Sequence, residues 1–291
     1  MMKIVKLKGG LGNQMFQYAF AKILQKETGS EVKIDLSSYK ALKGDTVRKP
    51  RILKFNISLP VATQEEVMSV CKISHSGDSQ SNIYRIGLVL ESILNKKYLF
   101  ERNHAGCSAA NMKKCEFFDG YWQDWRNVDF IMPELREEFT PVEKLGQSTE
   151  EKLAKIEGCN SVFVGVRRGD YLTVHPEHYG TFTQEYYERA MEKVSQVVKD
   201  PVFFVFSNDI NWVQKNMDFS KWNVVYITDT VDDFEDFILM SRCKHSIIPN
   251  STYHWWGARL NEYEDKVVVA PSKWFMDDAP INILPDRWEK V

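Results

Sequence analysis

The chain has 291 residues, 43% hydrophobic and 27% charged, with a formal net charge of −2 and a pI near 6.3. That length suits two domains or one large α/β domain, and the balanced charge gives no electrostatic footprint for nucleic acid or an anionic membrane surface. Five cysteines with no C-x-x-C pair fit neither a disulfide framework nor a zinc ribbon and read as reduced thiols. The start, Met1-Met2-Lys3-Ile4-Val5-Lys6-Leu7-Lys8, breaks its apolar residues with three lysines, unlike a signal-peptide core. No later run approaches the ~18 apolar residues that span a bilayer. A cytoplasmic protein is expected.

Ile4 to Leu7 predicts a strand ending at Gly9-Gly10-Leu11-Gly12-Asn13. A helix follows, because Met15, Phe16, Ala19, Phe20, Ile23 and Leu24 keep to one helical face, and Gly29 closes it. Val32 to Leu36 is a second strand, so the chain opens strand–helix–strand. Residues 74–82 and 103–115 read as polar loops, Ile83 to Leu99 as a segment holding a helix, and Phe117 to Trp125 as an aromatic stretch around Gly120. Pro141 to Glu151, rich in charge, reads as a linker between domains 1–145 and 146–291.

Beyond it the rhythm is α/β. Strands are predicted at Ser161 to Val166, Val202 to Phe206, Asn223 to Ile227, His245 to Ile248 and, last, Lys266 to Ala270. Helices fall at Gln184 to Val198, after Asp232-Asp233, and at Thr252 to Leu260. Such alternation implies a parallel sheet with helices on both faces.

Four strand-to-helix junctions carry costly residues. At Gly9-Gly10-Leu11-Gly12-Asn13-Gln14, glycines let the backbone turn tightly and approach a ligand, and the helix start offers N–H groups to an anion. With Asp35 beyond, this nears the dinucleotide fingerprint of an NAD-dependent oxidoreductase, but Met15 stands where a third glycine is needed. No lysine completes a P-loop. At Val162-Phe163-Val164-Gly165-Val166-Arg167-Arg168-Gly169-Asp170-Tyr171, a buried strand runs into two arginines where open α/β sheets bind ligands. An unpaired buried guanidinium is expensive and its planar fork matches phosphate. A phosphate-bearing ligand is one reading, and an Arg–Asp ion pair trimming the strand end is the other.

Ser207-Asn208-Asp209 suits a ribose or base, or a simple turn. Pro249-Asn250-Ser251-Thr252 suits plain N-capping, or an anion site sharing one diphosphate with Arg167. Trp255 and Trp256 behind it read as core. His175 and His178 flank Pro176-Glu177 with no third ligand, so no metal site is expected.

Together the junctions resemble the α-1,2-fucosyltransferases of glycosyltransferase family 11, nearly end to end, although residues 55–115 carry little of the likeness. Gly9-Gly10-Leu11-Gly12-Asn13-Gln14-Met15-Phe16-Gln17-Tyr18 resembles the family's first signature, and Gly120-Tyr121-Trp122-Gln123 a mid-chain one. Val166-Arg167-Arg168-Gly169-Asp170-Tyr171 resembles the arginine motif shared with α-1,6- and protein O-fucosyltransferases. Phe206-Ser207-Asn208-Asp209 and Asn250-Ser251-Thr252-Tyr253-His254-Trp255-Trp256-Gly257 resemble the two C-terminal motifs.

The resemblance implies an α/β, GT-B type architecture of two facing Rossmann-like domains with parallel sheets. Residues 1–145 would be the acceptor side and residues 146–291 the GDP-fucose side, with the last residues packing back on the N-terminal domain. It further implies GDP-β-L-fucose as donor substrate, no cofactor or metal, inversion at the anomeric carbon, and transfer to the 2-OH of a terminal β-galactoside. A lipid-linked acceptor would add peripheral membrane contact.

By motif position, Arg167 stabilises the leaving β-phosphate and Asn13 meets phosphate or fucose. Asp170 accepts the acceptor's proton, unless pairing with an arginine makes it a poor base. Arg168 holds the motif loop or a phosphate oxygen. Gly10, Gly12, Ser207, Asn208, Asp209, Asn250, Ser251 and Thr252 complete the donor site, and Tyr121 and Trp122 stack on the acceptor sugar. Three departures stand out. Gly165 replaces a common histidine near the phosphates, Asn208-Asp209 replaces a common pair of aspartates, and His254 and Arg259 stand where Ser and Trp are usual. A non-catalytic nucleotide- or glycan-binding module is the alternative class, ahead of the NAD-dependent oxidoreductase.

Overall fold

The computed structural model describes residues 1–39, 49–71, 86–87, 90–91, 93–172, 176–230 and 232–291, with the side chain of Asp170 outside the described atoms. The chain divides into two compact units. One comprises Met1–Val142 with Pro280–Ile283, the other Glu143–Ala279 with Leu284–Val291.

The first unit is built on β1 (Met2–Lys6), α1 (Leu11–Thr28) and β2 (Glu31–Asp35), followed by α2 (Gln64–Val70), β3 (Tyr98–Phe100), α3 (Ala109–Lys114), β4 (Phe117–Asp119), α4 (Trp125–Phe130) and α5 (Met132–Glu138). Its strands form a parallel sheet in the order β2-β1-β4-β3. Helix α1 forms as its apolar periodicity predicts, burying Met15, Phe16, Ala19, Phe20, Ile23 and Leu24. Gly29 ends it at φ +60°, a left-handed cap that glycine adopts without a Cβ penalty.

One expectation fails here. Residues 103–115 are not all loop, because Ser108 caps α3 by accepting from Asn111 N. That short helix buries nothing, so it leaves no apolar period to read. The helix expected within Ile83 to Leu99 is there among the described residues, at 86–87, 90–91 and 93–94, and Leu99 lies beyond it in β3. Residues 74–82 lie outside the described residues.

The second unit contains α6 (Gln147–Glu157), β5 (Asn160–Val166), α7 (Pro176–Tyr179), α8 (Gln184–Val197), β6 (Pro201–Ser207) and α9 (Ile210–Asn216). It continues with β7 (Val224–Tyr226), α10 (Asp233–Arg242), β8 (His245–Ile247), α11 (Thr252–Leu260), β9 (Val268–Ala270) and β10 (Glu289–Lys290). Six parallel strands lie in the order β10-β9-β8-β5-β6-β7. Strand β5 is buried from Ser161 to Val166. Val162, Val164 and Val166 pack in one core with Tyr186, Tyr187, Ala190, Met191 and Val194 of α8. Phe163 and Gly165, on the other face, meet His254 and Gly257 of α11. Both faces are thus helix-covered, which is why the strand reads as continuously apolar.

The predicted linker is partly helix. Helix α6 starts at Gln147, and Glu235 of α10 anchors its first turn by accepting from Gly146 N at 2.8 Å and from the Thr149 hydroxyl. Nor is β9 the last strand, since β10 adds beside it after the chain has visited the first unit, where Trp125 N donates to Asn282 O at 3.0 Å.

Candidate active site

Strand order reverses at β5, because the chain runs to β6 and β7 on one side and to β8, β9 and β10 on the other. Ligands of open α/β sheets bind at the carboxyl ends of strands flanking such a reversal. Arg167 and Arg168 follow β5 there, Ser207 and Asn208 close β6, and Pro249 to Thr252 lead from β8 into α11.

The two arginines go different ways, as alternation along a strand requires. Arg168 N donates to Asn208 Oδ1 at 3.1 Å, and the Arg168 guanidinium lies 3.2 Å from the centre of the Trp212 ring. Gly169 has φ +49°, and a Cβ there would meet Asn208 Nδ2 at 2.1 Å. Glycine is what lets this loop close on Asn208. Arg168 and Asn208 therefore hold the loop. Ser207 Oγ accepts from Asp209 N, and Asp209 Oδ1 accepts from Trp212 N at the start of α9. Those two groups are thus engaged in the turn after β6 and at the start of α9.

Arg167 instead lies with its guanidinium 5.2 Å from the centre of the Tyr171 ring. The Tyr171 hydroxyl donates to Asn250 O at 3.1 Å, and the ring stacks on Tyr179 at 4.7 Å. Arg167 is thereby brought to the segment that opens α11. Asn250 itself is buried, and its Nδ2 donates to Tyr179 O at 2.6 Å and Trp274 O at 3.0 Å. Its amide secures the loop rather than capping the helix. Ser251 occupies the N-cap position of α11 with no side-chain capping bond. Trp255 and Trp256 are fully buried core, as expected.

Composition gave no signal for His254 and Tyr253, which feel the Arg167 charge, or for Asp236, which lies near Tyr253. His254 is 4% exposed, and burial, with the Arg167 charge adding to it, lowers its pKa to about 3. Tyr253 is pushed far up by burial, opposed by Arg167. Burial, with Asp233 and Asp232 close by, raises Asp236 to about 6. His178 pairs with Asp277 through Nδ1 at 2.7 Å and stacks on Phe275, while His175 lies outside the described residues.

Gly10, Gly12 and Asn13 belong to the first unit. Gly9 has φ +80° and a Cβ there would meet Asn13 Nδ2 at 2.7 Å. Gln123 Nε2 donates to Asn13 Oδ1 at 2.9 Å, joining the first signature to the mid-chain one. Gln14 is spent on Gly9 O, Lys49 O and Ile52 N. Asp35 is buried and accepts from both Ser37 N and Ser37 Oγ, so it serves its own turn rather than a ribose.

Trp122 corrects the acceptor-stacking expectation. Its φ of +55° turns the ring inward, where it is buried and stacks on Phe20 at 4.2 Å. Tyr121 stays exposed, with Lys8 Nζ 4.8 Å from its ring centre. Asp119 beneath it binds Lys6 at 3.3 Å and Lys8 at 2.5 Å, and Tyr98 donates to it at 3.1 Å.

Comparison with known proteins shows the family and the fold. Residues 1–282 match Glycosyl transferase family 11. The alpha-1,2-colitosyltransferase of Escherichia coli is 31% identical over 99% of this chain and 98% of its own. The galactoside alpha-(1,2)-fucosyltransferase 1 of Bos taurus is 29% identical over 87% of this chain and 64% of its own. Fucosyltransferase NodZ from Bradyrhizobium matches with a TM-score of 0.52 at 13% identity, covering 89% of this chain and 92% of that one. The last likeness concerns fold alone and puts the two Rossmann-like units in the GT-B class. No helix among the described residues is long and apolar enough to cross a membrane. The chain belongs to glycosyl transferase family 11 and is a glycosyltransferase.

Proposed function

We propose that this enzyme transfers L-fucose from GDP-β-L-fucose, with inversion, to the 2-OH of a terminal β-galactoside on a glycan. The observation carrying this reading is Arg167 at the strand-order reversal, linked through Tyr171 to the loop that opens α11. A cation and a helix start lie together where a diphosphate would bind. Family membership and the printed activities of the E. coli and bovine relatives support the donor and linkage classes.

In the reaction, the bond from the fucosyl anomeric carbon to the β-phosphate oxygen breaks while the acceptor oxygen bonds the opposite face of that carbon. The hydroxyl proton passes to a base, for which Asp170 is the choice by motif position. GDP leaves with the bonding electron pair, and Arg167 meets the growing negative charge without calling on a metal ion. Preorganised groups of this kind are worth ~3–4 kcal/mol at the transition state. Arg168, fixed by Trp212 and Asn208, keeps the loop in place. With Trp122 buried, Tyr121 is the remaining aromatic face of the mid-chain signature for an acceptor sugar.

A screen of GDP-fucose, GDP-mannose, UDP-galactose and a colitosyl donor against β-galactosides, with linkage analysis, tests this. GDP-fucose should be consumed to an α-1,2 product. Turnover with the other nucleotide sugars alone contradicts it, and preference for the colitosyl donor would favour the activity named for the E. coli relative. GDP binding without turnover would indicate a binding module. An NAD-induced thermal shift, with none from GDP, would restore the dinucleotide reading, against a fully buried Met15 and an engaged Asp35.

A further inference from the structure

Gly165 lies on the β5 face that α11 covers, and Arg167 follows one residue beyond the strand end, close enough for its charge to act on His254. A Cβ on Gly165 would lie 2.2 Å from Cδ2 of His254 and 2.7 Å from its Nε2. The imidazole thus fills the volume that any larger residue at 165 would need, entering from the helix. Helix α11 lies directly against this face, since a Cβ on Gly257 would be in van der Waals contact with the Phe163 ring at 3.6 Å.

The ring is almost wholly buried, yet its Nδ1 has no hydrogen-bond partner among the described residues. Buried polar atoms are nearly always bonded, and an orphan on a ring that feels the Arg167 charge points to a missing partner. Space-filling does not explain it, since a phenyl ring would fill the hollow with no nitrogen to satisfy. Burial beside Arg167 keeps the ring neutral, so it can hydrogen-bond an anion without adding a second charge to be desolvated.

We propose that His254, from the hollow at Gly165, contacts the diphosphate of the nucleotide sugar beside Arg167 and supplies it with a hydrogen bond. This rests on reading the site as one for GDP-fucose, and it adds a ligand contact from α11 to those expected from the arginine motif.

The test is calorimetric binding of GDP and of inorganic pyrophosphate to the wild type, His254→Phe, His254→Ser and the double variant Gly165→His with His254→Ser. His254→Phe, filling the hollow, should melt near the wild type and bind GDP about ten-fold or more weakly, the usual scale for a lost hydrogen bond to a charged group. The double variant returns an imidazole to the same hollow from the strand side and should recover most of what His254→Ser loses. Wild-type GDP affinity in His254→Phe overturns the proposal. Should that variant not fold, wild-type affinity in His254→Ser does the same. A wild type that binds neither GDP nor pyrophosphate overturns this inference and the functional reading together, whereas wild-type binding with indifferent variants removes this inference alone.

Discussion

The phenol of Tyr171 donates to the backbone oxygen of Asn250 at 3.1 Å, tying the loop after β5 to the loop after β8. Its ring also lies beneath Arg167, with the guanidinium 5.2 Å from its centre. Tyr171→Phe keeps the ring and cuts the tie. It should cost about 1 kcal/mol of stability and lower kcat several-fold, because the loop that aims Arg167 is released. Urea denaturation and steady-state kinetics on the same preparation check both. Unchanged kcat would mean that the tie does not position Arg167.

Asp119 gathers Lys6, Lys8 and the Tyr98 hydroxyl at the end of β4. Lys6 and Asp119 are both almost fully buried, so removing the carboxylate takes a buried ion-pair partner from the ammonium. Asp119→Ala should destabilise by ~3–5 kcal/mol, read as a lower urea midpoint. A loss below about 1 kcal/mol would show that the Lys6–Asp119 pair does not hold the sheet end together.

Long periodic elements were legible, and short ones were not. Helix α1 and strand β5 announced themselves because each buries a continuous apolar pattern. Helix α3 buries nothing, β3 has three residues and β10 two, so none leaves a period to count. At the site, the place of Arg167 at the end of a buried strand was legible, because the continuous apolar run stops there. Trp122 was misread because an inward turn is set by φ, which composition does not carry. Asn250 has N-cap chemistry, but tertiary burial gives its amide other partners. Gly165 and His254 read as two separate departures along the chain, and only packing of α11 on β5 makes them one event.

Burial and the Arg167 charge hold His254 at a pKa of about 3, against about 6.5 in an unfolded chain. Between those values the unfolded state binds the extra proton, so stability rises with pH by at most ~1.4 kcal/mol per unit and flattens above 6.5. Asp236, raised to about 6, works with the opposite sign but is common to wild type and variant. From pH 4.5 to 6.5 the wild type should therefore gain about 2–3 kcal/mol relative to His254→Gln. Parallel urea profiles for the two proteins would show that the buried imidazole is not held neutral.

If Arg167 rather than a metal ion meets the charge on the departing diphosphate, chelation should not slow turnover. Dialysis against EDTA followed by assay in its presence should leave kcat within two-fold or so of the untreated enzyme. A loss of ten-fold or more that Mg²⁺ or Mn²⁺ restores would assign that charge to a metal.

Single-turnover fucosyl transfer by Arg167→Ala, with GDP-fucose and a β-galactoside at saturation, separates chemistry from binding and release. The guanidinium's removal should lower the rate by about 10²–10³, the loss of ~3–4 kcal/mol at the transition state, with the melting temperature little changed. A rate near that of the wild type would take Arg167 out of the reaction, and with it the proposed role of the β5 strand end.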